Sequence, residues 1–242
     1  MDLPSPSAEA LSHSNQLKDI MHAAIAQEGG ALPFAKYMEL ALYYPGLGYY
    51  SAGARKFGAE GDFVTAPELG GGFAYVLANA GATLLEQLDA SAVWFEIGAG
   101  TSALAEKTLL RLQEIGQLPA QYWILEPSAD LRERQQHRLQ KSLPADLFAR
   151  CLWPDTPPED AWQGVLVANE VIDALPTTRF IIEQGEVFEE CIALDDRQQF
   201  SRVMRPADGL VAGAVRHVER SLQRTFEDGY CSEILPQLPY WI

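Results

Sequence analysis

Four short stretches combine acids, glycines and hydroxyls at spacings suited to holding a small charged ligand. The most informative is 93–102, V-W-F-E-I-G-A-G-T-S, where an apolar run closes on Glu96 and a turn then carries Gly98, Gly100 and Thr101. Continuous β-branched and aromatic residues bounded by turn residues predict a strand buried on both faces. The A-L-A-E-K-T-L-L-R-L-Q that follows predicts a helix with Leu104, Thr108, Leu109 and Leu112 along one face. Between such a strand and helix, a glycine turn lets the main chain approach a ligand, and the free N–H groups of the helix start favour an electron-rich group. The G-A-G-T-S-A at 98–103 also fits the G-x-G-x-x-G/A fingerprint of dinucleotide sites. Glu96 separates the two ligands, because a carboxylate beside the turn repels a pyrophosphate and suits a cationic amino acid moiety. S-adenosylmethionine carries that moiety, a sulfonium and no phosphate, so it is the expected cofactor. A nicotinamide dinucleotide is the alternative, as is a tight turn that binds nothing.

The other three stretches fall where such a cofactor would need them. Q-Y-W-I-L at 121–125 predicts a second strand, ending at Glu126-Pro127-Ser128. An acid at the end of the strand after the glycine turn can accept hydrogen bonds from both ribose hydroxyls. Ser128 is the better N-cap for the helix predicted over 128–139. G-V-L-V-A at 164–168 predicts another strand, followed by N-E-V-I-D-A-L-P at 169–176. Polar residues just past the carboxyl end of a parallel strand lie in the ligand crevice, so Asn169 and Glu170 are expected to face the cofactor's reactive end. G-D-F-V-T-A-P-E at 61–68 sits in a long loop of turn residues and aromatics, a kind more often functional than neutral. Thr65 is the expected cap of a helix running on through Phe73, Val76, Leu77, Ala80 and Leu84, with Asp62 and Glu68 flanking its start. Plain capping carboxylates are the alternative for those two acids.

The elements that must position these residues fit an ordinary globular composition. The chain has 242 residues, 48% hydrophobic and 21% charged, enough for a full α/β core. Eighteen Lys and Arg against 33 Asp and Glu leave a net charge of −15, which opposes binding to nucleic acid or anionic membrane and would steer a basic protein partner. Cys151, Cys191 and Cys231 are evenly spaced in unrelated surroundings and read as free thiols of a reducing compartment. The four histidines make no ligand spacing with them, so no metal is expected. No apolar stretch is long enough to span a bilayer, and the N-terminus lacks signal-peptide character, making the cytoplasm the expected location. Residues 1–14, rich in Ser and Pro, are expected to be a disordered lead. Residues 15–90 then form a helical and loop region completing the cofactor pocket, with helices over 15–27 and 33–42. Residues 91–176 form the cofactor-binding core, with a further strand at 147–151. Beyond Pro176, apolar and polar residues alternate around Gln184-Gly185 and Asp195-Asp196 as in antiparallel hairpins, and a helix is expected over 210–226.

With these residues set out, the sequence resembles the MidA family of S-adenosylmethionine-dependent methyltransferases, which includes an arginine methyltransferase of mitochondrial complex I assembly. The resemblance rests on P-F-A-K-Y-M-E-L-A-L-Y-Y-P-G-L-G-Y-Y at 33–50, G-D-F-V-T-A-P-E, E-I-G-A-G at 96–100, L-E-P-S at 125–128 and N-E-V-I-D-A-L-P, in the family's order. It implies a Rossmann-like class I methyltransferase sheet with helices on both faces, an N-terminal helical extension and an antiparallel β-hairpin insertion. Family members usually run on well past this length, and many have glycine where Ser102 stands. The sheet is therefore expected to be incomplete at its C-terminal edge, which a second copy or another cover would protect. The resemblance places Gly61, Asp62, Thr65, Pro67, Glu68, Glu96, Gly98, Gly100, Thr101, Glu126, Pro127 and Asn169 around the cofactor. It implies a protein substrate, with arginine as acceptor. A carboxylate must then orient the guanidinium, Glu170 first and Asp173 second. A cofactor-binding scaffold without turnover is the rival reading.

Overall fold

In the computed structural model, which describes residues 6–51 and 66–238, the elements follow a helix and strand order that separates two cores. In chain order they are α1 (Ala8–Gln27), β1 (Leu32–Pro33), α2 (Phe34–Tyr43), α3 (Gly72–Leu85), β2 (Val93–Ile97), α4 (Ala103–Glu114), β3 (Gln121–Leu125) and α5 (Ala129–Ser142). Then come α6 (Ala145–Phe148), β4 (Cys151–Leu152), β5 (Gly164–Val167), a 3-10 turn at Ile172–Ala174, β6 (Thr178–Glu183), β7 (Glu186–Leu194), β8 (Phe200–Pro206), α7 (Gly209–Leu222) and β9 (Cys231–Ile234). One compact unit joins Met1–Ala52 to Leu175–Ile242, and the other is Gly53–Ala174. The boundary thus cuts the region expected over 15–90. α1, β1 and α2 belong with the C-terminal antiparallel sheet, whereas α3 belongs with the glycine turn.

The second unit holds a parallel sheet in the order β4-β3-β2-β5. Trp94 and Tyr122 are register partners, and with Ile124, Val165 and Val167 they form one face of it. α3, α4 and α5 pack there through Ala74, Ala78, Leu85, Leu104, Leu109, Leu112 and Leu139, all buried. Two successive right-handed crossovers in the same direction put α4 and α5 on the same side. The return from β4 to β5 is a loop, Trp153 to Gln163, with no helix in it. Within this unit, among the described residues, side chains of the other face meet that loop. Phe95 lies edge-on to Trp123 at 5.9 Å and to loop Trp162 at 5.6 Å, while Leu166 on β5 is 47% exposed. Two local expectations also change. Residues 147–151, read as a strand, are the end of α6 and the start of a two-residue β4. The helix expected to be capped at Thr65 starts at Gly72, without a side-chain cap. Glu68 precedes it in a turn.

The first unit is organised on β7, the longest strand. It pairs antiparallel with β6 at Glu186–Glu189, with β1 at Cys191–Ile192 and with β8 from Phe188 to Leu194. Gln184 and Gly185 have φ of 52° and 77°, the double left-handed conformation of a two-residue I′ hairpin turn. Val187, Phe180 and Ile182 pack with Val215 of α7 in one cluster. Ile192, Leu32 and Ile25 of α1 make another. α1 starts at Ala8, within the stretch expected to be disordered, because Ser7 accepts a hydrogen bond from the Ala10 N–H at 3.1 Å and satisfies a donor the helix start leaves free. β9, not expected from the sequence, adds to the free edge of β6. Among the described residues, no helix is long and apolar enough to cross a membrane, and no group of three or more His, Cys, Asp or Glu could hold a metal ion.

Candidate functional site

A parallel sheet binds ligands beyond the carboxyl ends of its strands, at the point where strand order reverses. Here that point lies between β2 and β5, and three of the four stretches meet at that end. Gly98 and Gly100 follow β2 with φ of 66° and 53°. The Gly98 N–H donates to the Leu125 carbonyl at 3.1 Å, tying the turn to the end of β3. A Cβ on Gly98 would meet Val171 Cγ2 at 2.9 Å, so this position needs glycine for its space as well as its φ. Ser102, with φ of 63°, keeps the left-handed conformation that glycine would take most easily, and its buried hydroxyl finds no partner among the described residues.

Two of the predicted acids are sealed into the unit. Glu96 is 3% exposed and accepts a hydrogen bond from the Tyr122 hydroxyl at 2.6 Å. Burial pushes its carboxyl up to about 7 against the pull of that hydrogen bond, and burial with the adjacent carboxyl raises the Tyr122 phenol well above its usual range. Glu96 is thus shielded from solvent at the end of β2, two residues before Gly98. Its register partner Val167 is also buried. Glu126, 5% exposed, accepts from the Ser128 N–H at 3.0 Å and from Gln135 Nε2 at 3.1 Å. Burial raises its carboxyl as well, opposed by those two bonds and by Arg132. Ser128 is the cap of α5, as expected, accepting from the Leu131 N–H at 3.4 Å. Pro127 beside it is exposed.

The segment after β5 is open. Asn169 is half-buried, and Glu170 and Asp173 are exposed. Glu170 has φ of 53°, a conformation a glutamate adopts at a cost. Pro67 and Glu68 are brought to the glycine turn by Thr101 and by a lysine that no local pattern marks. Glu68 accepts a short hydrogen bond from Thr101 Oγ1. Lys107 donates to the carbonyls of Pro67 at 2.7 Å and Gly70 at 3.0 Å. Arg138 donates to Thr101 at 3.2 Å and pairs with Glu106 at 2.8 Å. Gly61, Asp62 and Thr65 lie outside the described residues. Gln135, also unforeseen, carries a signal in retrospect: it is a polar residue midway between Leu131 and Leu139 on the apolar side of α5.

The order β4-β3-β2-β5, with a glycine turn after its first strand and an acid after its second, defines a Rossmann-like nucleotide-binding protein of the methyltransferase type. The chain belongs to a family of S-adenosyl-L-methionine-dependent methyltransferases, whose model matches residues 76–242. Among solved structures it is similar to a COG1565 superfamily member from Burkholderia thailandensis bound to S-adenosyl-homocysteine, with 38% identity and a TM-score of 0.82 over 96% of this chain. It is also similar to a COG1565 superfamily protein from the same organism in its native form, with 36% identity and a TM-score of 0.79 over 96% of this chain. The chain spans 59% and 58% of the length of these two relatives. No curated protein matches it.

Proposed function

We propose that the protein is an S-adenosylmethionine-dependent methyltransferase acting on a protein, with an arginine side chain as acceptor. The carrying observation is the meeting of the glycine turn, buried Glu126 and the Asn169–Asp173 segment at one end of a single parallel sheet. Family membership and the relative bound to S-adenosyl-homocysteine support the cofactor. The residues present suit it: Gly98 and Gly100 open the main chain, and Glu126 keeps acceptor capacity on both oxygens for the ribose hydroxyls. Arg138 and Lys107, the cations beside the turn, are engaged with Glu106 and with main-chain carbonyls, which disfavours a pyrophosphate there. When bound, S-adenosylmethionine supplies a sulfonium-linked methyl ready for in-line displacement. The chain's part is alignment, worth about 7 to 11 kcal/mol when complete. Asn169 faces the reactive end, Glu170 takes a guanidinium in paired hydrogen bonds, and Asp173 is the second candidate. The assignment to the MidA family and the arginine acceptor rest on the resemblance described above. The charge of −15 suits a basic substrate segment. The cytoplasm is the proposed location, and a second copy the proposed cover of the β5 edge.

The test is the melting temperature with S-adenosylhomocysteine and, in parallel, with a nicotinamide dinucleotide. At about a hundred times its dissociation constant, the first raises it by about 5 to 10 °C and the second leaves it unchanged. Equal shifts, or none, remove the assignment. Glu170→Gln then binds S-adenosylhomocysteine as wild type does and loses transfer to an arginine-bearing peptide. Full transfer would take Glu170 out of the acceptor role.

A further inference from the structure

α5 reaches the candidate site with three side chains on one face, and one of them touches both loops that the cofactor would contact. Gln135 has no exposed surface. Its Nε2 donates to the Gly100 carbonyl at 3.0 Å and to Glu126 Oε2 at 3.1 Å, and its Oε1 accepts from Trp153 Nε1 at 3.0 Å. Both amide hydrogens and the carbonyl are therefore used. Trp153 fixes which way the amide points, since the reverse orientation would set its oxygen against two acceptors. A leucine here would continue the row of Leu131 and Leu139. Burying an amide instead is unfavourable unless every group is bonded, which is the case. The neighbours on the same face hold one loop each: Arg132 donates to the Glu126 carbonyl at 3.1 Å, and Arg138 donates to Thr101 at 3.2 Å.

Resting on the reading of this end of the sheet as a cofactor site, we propose that Gln135 is its positioning residue. By bonding the glycine turn and Glu126 at once, it fixes the distance between the main chain that faces the cofactor and the carboxylate that receives the ribose. It also keeps Glu126 turned so that a lone pair on each oxygen remains for the ligand, because Ser128 N–H occupies the other oxygen from the loop side. Nothing in this role requires Gln135 to touch the ligand.

The test is a double-mutant cycle read by calorimetric titration with S-adenosylhomocysteine, using wild type, Gln135→Met, Glu126→Gln and the pair. Gln135→Met weakens binding by about tenfold, the size of a coupling within one hydrogen-bond network, and the pair binds no more weakly than Glu126→Gln alone. Binding by Gln135→Met within about twofold of wild type overturns the proposal, and so does additivity of the two losses, since the amide would then act independently of Glu126. If Gln135→Met does not fold, Trp153→Phe carries the test. It leaves the amide in place and removes the donor that orients it, weakening binding by about threefold, and unchanged affinity overturns the proposal. Failure of wild type itself to bind S-adenosylhomocysteine is a different result, which removes the cofactor reading and this inference with it.

Discussion

A carboxyl sealed inside a fold must either be neutral or have its charge held in place, and among the described residues Glu96 has the Tyr122 hydroxyl to do so. With its carboxyl near 7 in the folded protein and near 4.5 when unfolded, the folded state keeps a proton that the unfolded state has given up between those values. Stability therefore falls as pH rises through that window and levels off above it. Wild type should lose about 3 kcal/mol relative to Glu96→Gln between pH 4.5 and pH 7, as measured by urea unfolding at a series of pH values. Parallel pH profiles for the two proteins would show that Glu96 ionises normally. The sequence marks Glu96 and Glu126 as site acids because each ends a predicted strand. It does not show that Glu96 faces inward, which follows from sharing the face of Trp94 in a two-residue repeat. Lys107 and Arg138 bond to groups far off in sequence, and no local pattern marks them.

Close packing of α3 on β2 is what brings the glycine turn's own strand under a helix. Gly81 makes that approach possible: a Cβ there would sit 2.3 Å from the Trp94 ring, which is fully buried and stacked on Tyr122 at 6.1 Å. Gly81→Ala gains about 1 kcal/mol of helix propensity and loses more to overpacking. A net loss of about 1 to 2 kcal/mol is expected in urea unfolding, and a gain in stability would show that the helix shifts freely. Long periodic elements such as α4 and strands with strong apolar runs are legible from sequence. The short ones are not. β4 has two residues, and β9 is a four-residue strand without a continuous apolar run, held by pairing to β6. The connection from β4 to β5 is legible, because the Pro- and acid-rich 153–160 reads as a loop and a loop is what joins the two strands.

Across the whole molecule, the expected class of fold holds while its division changes. Hydrophobic patterning shows each amphipathic face but not which sheet it meets, so sequence order alone puts α1 and α2 with the cofactor core. Ile25 of α1 and Leu32 of β1 pack with Ile192 of the antiparallel sheet instead. The aromatic residues are divided just as unevenly. Of the five tryptophans, Trp94, Trp123, Trp153 and Trp162 all lie between Gly53 and Ala174. The ultraviolet emission of this protein is therefore almost a private signal of the parallel-sheet unit, whereas far-ultraviolet dichroism reports both. Bound S-adenosylhomocysteine should move the emission midpoint in urea upward by more than the dichroism midpoint, since only one unit would hold the ligand. Identical displacement of both curves would show that the two cores melt as one, and the emission of Trp153, bonded to Gln135, would then report ligand entry and the melting of both cores alike.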